Sequence, residues 1–142
     1  MQYKRITTKD VDEIMKLDVR LGSPWSKGLY MDRLSMFPDL AYGAFKNGKM
    51  IGFVLGKKDT FGNITLSRMA VRKELEGRGI GGHLVDMLIK KVDRNDIKEL
   101  NATIRESNSR SLNLHKSRGF VENGLYTYRD GERGFKMIKR LR

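Results

Sequence analysis

The sequence contains no cysteine. Disulfide bonds, thiolate metal sites and cysteine nucleophiles are therefore excluded. It also lacks an apolar run of about 20 residues, the length that spans a bilayer. Its first residues, MQYKR, include no apolar segment of the kind found in a secretory signal. These absences predict a cytoplasmic protein that does not enter a membrane, and we expect no bound metal.

The sequence also contains few prolines. Two prolines, no low-complexity tract and no repeat predict a single domain over residues 1–142.

Acidic residues are outnumbered by basic ones: the sequence has 29 Lys and Arg and 17 Asp and Glu, which give a net charge of +12. Such an excess attracts anionic ligands: a polyphosphate cofactor, an acidic protein, or a nucleic-acid or ribosomal surface. The basic residues are dispersed and are not interleaved with aromatic residues, so nucleic acid is the least favoured of these partners.

The apolar patterns predict the element order βααβββαβαββ. Apolar residues recur at helical spacing over residues 9–19, where Thr8 is the expected cap. Asn47-Gly48 lies between two alternating runs and predicts a hairpin with a type I′ turn, because both positions need positive φ. Strands at 64–72 and 99–105 should lie parallel on either side of a helix. We therefore expect an α+β fold with a mixed α/β sheet.

A glycine-rich segment, EGRGIGG at residues 76–82, lies between the strand at 64–72 and a helical apolar stripe. Glycines allow a loop to approach a ligand closely, because no Cβ is in the way. The helix that follows presents unpaired N–H groups and the positive end of its dipole. This arrangement suits a phosphate or a pyrophosphate. Such turns also occur merely to reverse the chain, so the loop alone leaves both interpretations open.

A second segment begins at Asn108 and ends at Gly119-Phe120. Asn108 suits the cap of a helix, and Gly119 suits the position just past its end. Asn108 and His115 fall seven residues apart and share one helical face. A capped helix needs no ligand, so this segment by itself also leaves its role open.

Together, in this order and at this spacing, the two segments resemble the GNAT superfamily of N-acetyltransferases. The loop pattern of that family, (Arg/Gln)-x-x-Gly-x-(Gly/Ala), falls on residues 76–81. Its downstream run, Asn-x-x-(Ala/Ser)-x-x-x-Tyr-x-x-x-Gly-Phe, falls on Asn108, Ser111, His115, Gly119 and Phe120. The resemblance covers the chain from about Ala41 onward, and in finer features it is similar to N-terminal acetyltransferases that modify ribosomal proteins. It implies a GNAT-like central mixed sheet with helices on both faces.

The resemblance also implies a chemistry. Acetyl-CoA would be the donor, and the acceptor would be a primary amine of a protein N-terminus, a lysine or a small molecule, with direct transfer in a ternary complex. Main-chain groups after the middle of the strand at 64–72 would bond the pantetheine arm, and the glycine loop would hold the pyrophosphate. The cofactor-binding residues implied are Met69, Ala70, Val71, Glu76, Gly77, Arg78, Gly79, Ile80, Gly81, Gly82, Asn108 and Ser111.

Three positions depart from the family pattern. Glu76 stands where the family has Arg or Gln, and a carboxylate repels a pyrophosphate unless it turns away. His115 stands where a tyrosine protonates the leaving thiolate, so it is either the acid or a packing residue. Thr103 stands where the ribosomal-protein type carries a glutamate base. Glu106 and Tyr126 are the other candidate catalytic residues.

Two other functions remain open. The departures are compatible with a catalytically weak module that binds or senses acyl-CoA. The net charge of +12 is compatible with a basic protein associated with nucleic acid or ribosomes. An acidic or ribosomal protein partner would fit either an enzyme or a binding protein. The sequence also leaves open a homodimer, and Trp25, Tyr30 and Phe37 have a spacing that fits an acceptor pocket or ordinary core packing.

Overall fold

A computed structural model describes residues 1–21, 23–93 and 97–141 of the protein. The strands are β1 (Gln2–Arg5), β2 (Ala41–Lys46), β3 (Lys49–Lys58), β4 (Ile64–Val71), β5 (Glu99–Arg105), β6 (Val121–Thr127) and β7 (Arg133–Arg140). The helices are α1 (Val11–Asp18), α2 (Lys27–Met36), α3 (Ile80–Asp93) and α4 (Ser109–Lys116). Their order confirms the predicted βααβββαβαββ pattern.

Within the described ranges, seven strands form one sheet in the order β1-β2-β3-β4-β5-β7-β6. β1 to β3 pair antiparallel, and so do β5, β7 and β6. β4 and β5 pair parallel, with residues 64–66 beside residues 100–102. The fold is therefore the predicted α+β fold with a mixed sheet, and α3 is part of the connection between the two parallel strands.

Two compact units divide the chain, and β4 contributes to both of them. The first unit comprises Met1–Lys57 and Ser67–Lys91. Its apolar core takes side chains from α1, α2, β2, β3 and β4, together with Ile6, which follows β1. Ile14, Tyr30 and Phe53 are fully buried there. Of the two roles that the sequence left open for Tyr30, an acceptor pocket or core packing, its burial favours core packing.

The second unit comprises Lys58–Leu66 and the described part of Val92–Arg142. Leu100, Ala102 and Ile104 of β5 are buried, and the residues between them are more exposed. This alternation of side chains is expected of a strand with one face on a core. Phe120 and Met137 are also buried in this unit.

The predicted hairpin turn between β2 and β3 is confirmed. Asn47 has a φ of 53° and Gly48 a φ of 78°. Both values are positive, as the central residues of a type I′ turn require.

The predicted cap of the first helix, Thr8, is wrong. Asp10 lies at the cap position of α1 and makes no side-chain cap bond, whereas Thr7 caps the 3₁₀ turn before it. The Thr7 side chain accepts from the Lys9 N–H, and its own N–H donates to Asp10 Oδ2 at 2.8 Å. The reciprocal bond from Asp10 completes a capping box. A short 3₁₀ turn, Thr8–Asp10, therefore precedes α1.

Candidate active site

The glycine loop leads directly into α3 in the first unit. Gly77 has a φ of 79° and Gly79 a φ of 85°, values that favour glycine strongly. A Cβ built on Gly79 meets no atom within 4 Å, so the space in front of this residue is open. The Gly79 carbonyl accepts the His83 N–H at 3.0 Å and begins the helix. The loop thus offers backbone N–H groups at a helix start, with room for an anion.

Glu76, the acidic residue at the first loop position, is ion-paired. Its Oε1 lies 2.6 Å from Nη2 of Arg20, which follows the end of α1 in the same unit. The same guanidinium donates to the Val71 carbonyl at the end of β4. The carboxylate is therefore held toward the α1 side and partly neutralised.

Met69, Ala70 and Val71 lie in the carboxyl half of β4. Among the described residues, the parallel register with β5 joins residues 64–66 to residues 100–102, and these three residues lie outside it. Arg72, the next residue, donates its N–H to the Ile51 carbonyl of β3 at 2.8 Å.

Asn108, Ser111 and His115 come together on α4 in the second unit. Asn108 Oδ1 accepts the Ser111 N–H at 3.1 Å, as its predicted role as a helix cap requires. The Ser111 carbonyl accepts from His115 Nδ1 at 2.8 Å. The three residues therefore form one hydrogen-bonded series, and Gly119 ends the helical segment with a φ of 89°.

The His115 side chain is 1% exposed and packs edge-on against Phe120, with ring centroids 4.9 Å apart. Its Nε2 is the only buried side-chain polar atom without a hydrogen-bond partner in the part of the chain that the structure describes. Burial lowers the pKa of His115, and the nearby Arg118 charge acts in the same direction. The imidazole is therefore held in its neutral form. This geometry favours the packing interpretation of His115 over an imidazolium acid.

We expect the buried His115 to make stability depend on pH below about 6.5, where a histidine of an unfolded chain titrates. Because its pKa is lowered in the fold, the unfolded chain binds the proton first. As the pH falls below about 6.5, the free energy of unfolding should decrease by about 1.4 kcal/mol for each pH unit, until the folded-state pKa of His115 is reached. Urea unfolding from pH 7 to 5 measures this slope in the wild type and in His115→Phe. Equal slopes in the two proteins would contradict the assignment.

The other two candidate catalytic residues are exposed and lie in the second unit. Glu106 Oε2 is 3.6 Å from Nε of Arg133, with both side chains half exposed or more. Tyr126 is 43% exposed and contacts Tyr128 edge-on, with ring centroids 4.9 Å apart.

An arginine that the motifs did not reveal holds the β6–β7 turn. Nη1 of Arg105, at the end of β5, lies 2.8 Å from Asp130 and 2.7 Å from Glu132. Its guanidinium carbon lies 4.1 Å from the Tyr128 ring centroid. Glu132 also accepts the Ser107 N–H at 3.1 Å. Hydrogen bonds from the Ser107 side chain and from Arg105 lower the pKa of Glu132. The turn after Tyr126 is therefore tied to the segment that precedes Asn108. In the sequence, this contact is indicated only by Asp130 and Glu132, the two acidic residues on either side of Gly131 in the turn.

No group of three or more His, Cys, Asp or Glu suited to a metal ion occurs among the described residues. In the same ranges, no helix combines the length and the apolar character needed to cross a membrane.

Comparison with known proteins identifies the family of this chain. The model of the acetyltransferase (GNAT) family matches residues 10–120. N-alpha-acetyltransferase 30 of Saccharomyces cerevisiae is 31% identical over 84% of this chain and 75% of its own length. An uncharacterised N-acetyltransferase of Methanocaldococcus jannaschii is 28% identical over 99% of this chain and 92% of its own. A chain in the crystal structure of the NatC complex bound to Gag peptide and CoA is 28% identical. It has a TM-score of 0.92 and covers 99% of this chain and 98% of its own.

The fold and the family match define a CoA-dependent acyltransferase. The chain belongs to the acetyltransferase (GNAT) family. It is an acetyl-CoA-dependent N-acetyltransferase. The prediction of an acetyl-CoA-dependent N-acetyltransferase is thereby confirmed.

Proposed function

We propose that this protein is an N-alpha-acetyltransferase, which transfers acetyl from acetyl-CoA to the α-amino group of a peptide or protein. The observation that carries the proposal is the similarity along 99% of the chain to the NatC subunit solved with a peptide and CoA. N-alpha-acetyltransferase 30 of Saccharomyces cerevisiae supports the same acceptor class by its name.

The proposed cofactor site follows from the loop geometry. Open space in front of Gly79 and two positive φ angles suit a pyrophosphate held by main-chain N–H groups at the start of α3. The residues proposed to hold it are Gly77, Arg78, Gly79, Ile80, Gly81 and Gly82, which follow Glu76. Main-chain groups of Met69, Ala70 and Val71, which lie in the same unit as the loop, would hold the pantetheine arm.

Transfer is proposed to be direct. The amine nitrogen attacks the thioester carbonyl, so a C–N bond forms as the C–S bond breaks, the amine loses one proton and the thiolate gains one. A main-chain N–H near Ala70 would stabilise the charge that develops on the carbonyl oxygen. No cysteine is present to carry the acetyl group.

An α-amine also suits a site without a strong base. Position 103 is a threonine, and Glu106 is exposed beside Arg133. An α-amine titrates near 8 and a lysine near 10.4, so at neutral pH the neutral fraction of an α-amine is larger by about 200-fold. An α-amine therefore needs less help in losing its proton.

The acceptor surface is proposed to include Tyr126 and Tyr128 of the second unit, whose rings pack together. The net charge of +12 independently favours acidic acceptors. An acidic or ribosomal protein would be such a partner, and a cytoplasmic location belongs to the same proposal.

A peptide panel tests the acceptor class. One peptide has a free N-terminus and no lysine, a matched peptide has a blocked N-terminus and one internal lysine, and each is made with acidic or basic downstream residues. Mass spectrometry should find acetylation of the free N-terminus at least about tenfold faster, a margin smaller than the difference in neutral amine. Faster acetylation of the lysine peptide would contradict the proposal, and labelled acetyl trapped on the enzyme would contradict direct transfer.

A further inference from the structure

Arg20 bridges the two ends of the connection that leads from β4 to the glycine loop. Its Nη2 lies 2.6 Å from Glu76 Oε1, and its Nη1 donates to the Val71 carbonyl. The side chains of Arg20 and Glu76 are 30% and 35% exposed, so water screens the pair only in part. All three residues belong to the first unit.

The sign of the charge at position 76 matters for an anionic ligand. A carboxylate at the first position of the loop repels a pyrophosphate, and the repulsion acts through space without any contact. The family pattern has Arg or Gln at this position, whereas this chain has Glu76. A cation that pairs with Glu76 removes much of the penalty.

We infer that Arg20 is a positioning residue for the cofactor loop: it holds the Glu76 carboxylate toward α1 and neutralises it, so that the loop accepts a pyrophosphate. The inference rests on the proposed placement of the pyrophosphate in the glycine loop. It goes beyond that placement because it assigns an electrostatic role to a residue outside both motifs.

The arrangement separates two roles that Arg20 could have. If Arg20 acts by neutralising Glu76, removal of the carboxylate should compensate for removal of the guanidinium. If Arg20 acts by bonding the Val71 carbonyl and supporting the backbone, removal of the carboxylate should not compensate. A double-mutant cycle distinguishes these roles.

The test measures the dissociation constant of acetyl-CoA by calorimetry for the wild type, Arg20→Gln, Glu76→Gln and the double variant. We expect Arg20→Gln to raise the constant about tenfold, because it leaves one uncompensated charge near the pyrophosphate. The double variant should return to within about threefold of the wild type, and Glu76→Gln alone should bind equally well or more tightly.

A ligand without phosphate supplies the second readout. S-acetylpantetheine carries the thioester and the pantetheine arm but no pyrophosphate, so its kcat/KM should be the same in the wild type and in Arg20→Gln. Arg5→Gln is the matched control, because Arg5 also contacts a carbonyl, that of Pro38 at 2.9 Å, and a carboxylate, that of Asp39 at 3.0 Å. We expect it to leave the affinity for acetyl-CoA unchanged.

Two results would overturn the inference. One is wild-type affinity for acetyl-CoA in Arg20→Gln, and the other is an equal loss with both ligands that Glu76→Gln does not restore. If Arg20→Gln fails to fold, Arg20→Lys replaces it in the cycle, with a loss smaller than tenfold expected because the charge is retained. If the wild type bound acetyl-CoA and S-acetylpantetheine with equal dissociation constants, the pyrophosphate would contribute nothing to binding. This result would contradict the proposed pyrophosphate site, and the inference with it.

Discussion

Replacing Gly79 with alanine lowers the affinity for acetyl-CoA about 100-fold, because a methyl group enters the open space where main-chain N–H groups would meet the pyrophosphate. The present backbone has a φ of 85° at this residue, and a Cβ would meet no protein atom within 4 Å. No neighbouring protein atom therefore blocks the added methyl group, and the lost affinity comes from its contact with the ligand. Calorimetry with acetyl-CoA measures it, with thermal unfolding as a check on the fold.

Gly48→Ala is the matched control for this prediction. Gly48 has a φ of 78°, and a Cβ there also meets nothing within 4 Å. Both variants should lose about 1–2 kcal/mol of stability, since each forces alanine into a left-handed backbone. Only Gly79→Ala should lose affinity. Equal affinities in the two variants would mean that the glycine loop does not hold the cofactor.

Replacing Asp18 with alanine destabilises the protein by about 3–5 kcal/mol, because it leaves a buried guanidinium without its counter-charge. Asp18 is 1% exposed and Arg68 13% exposed, and their closest atoms are 2.7 Å apart. The Tyr30 hydroxyl also donates to Asp18, and the main-chain N–H of Trp25 donates to Asp18 Oδ2 at 3.1 Å. Burial, followed by the hydrogen bond to Asp18, raises the pKa of Tyr30, so its hydroxyl stays a donor. Urea unfolding measures the loss.

Two controls show whether the loss arises from this buried pair. Asp39→Ala removes an exposed partner of Arg5 and should cost less than about 1 kcal/mol. Joint replacement of Asp18 by Leu and Arg68 by Met should recover part of the loss, since no unpaired charge then remains buried. A loss below about 1 kcal/mol for Asp18→Ala would contradict the prediction, because buried pairs broken on one side cost more.

Local sequence patterns predicted the elements well where neighbouring residues decide the structure. Asn47-Gly48 specified its turn through backbone φ, and Asn108 specified the start of α4 through a bond to a residue three positions away. The predicted cap, Thr8, was wrong, because Asp10 completes a capping box with Thr7 and not with Thr8. Such errors arise where two adjacent residues have the same intrinsic preference.

The candidate site was less predictable from motifs alone. The glycine loop was identified from its own residues, but the effect of Glu76 depends on Arg20, which lies 56 positions away. His115 shares a helical face with Asn108 whether it is exposed or buried, and only the packing of Phe120 against it decides which. The burial of Asp18 could have been predicted from the sequence. Asp18 lies seven residues after Val11 and four after Ile14, so helical periodicity places its charge on the same buried face of α1.

The sequence by itself determined the order of elements, the two motifs and the family they indicate, because these depend on spacing and on backbone preferences within a few residues. The tertiary structure alone decided the partners of the charged side chains: Arg20 with Glu76, and Arg68 with Asp18 at a separation of 50 residues. The free energy of a charge depends on its burial and on the atoms within a few ångströms, and neither quantity exists until distant segments of the chain pack together.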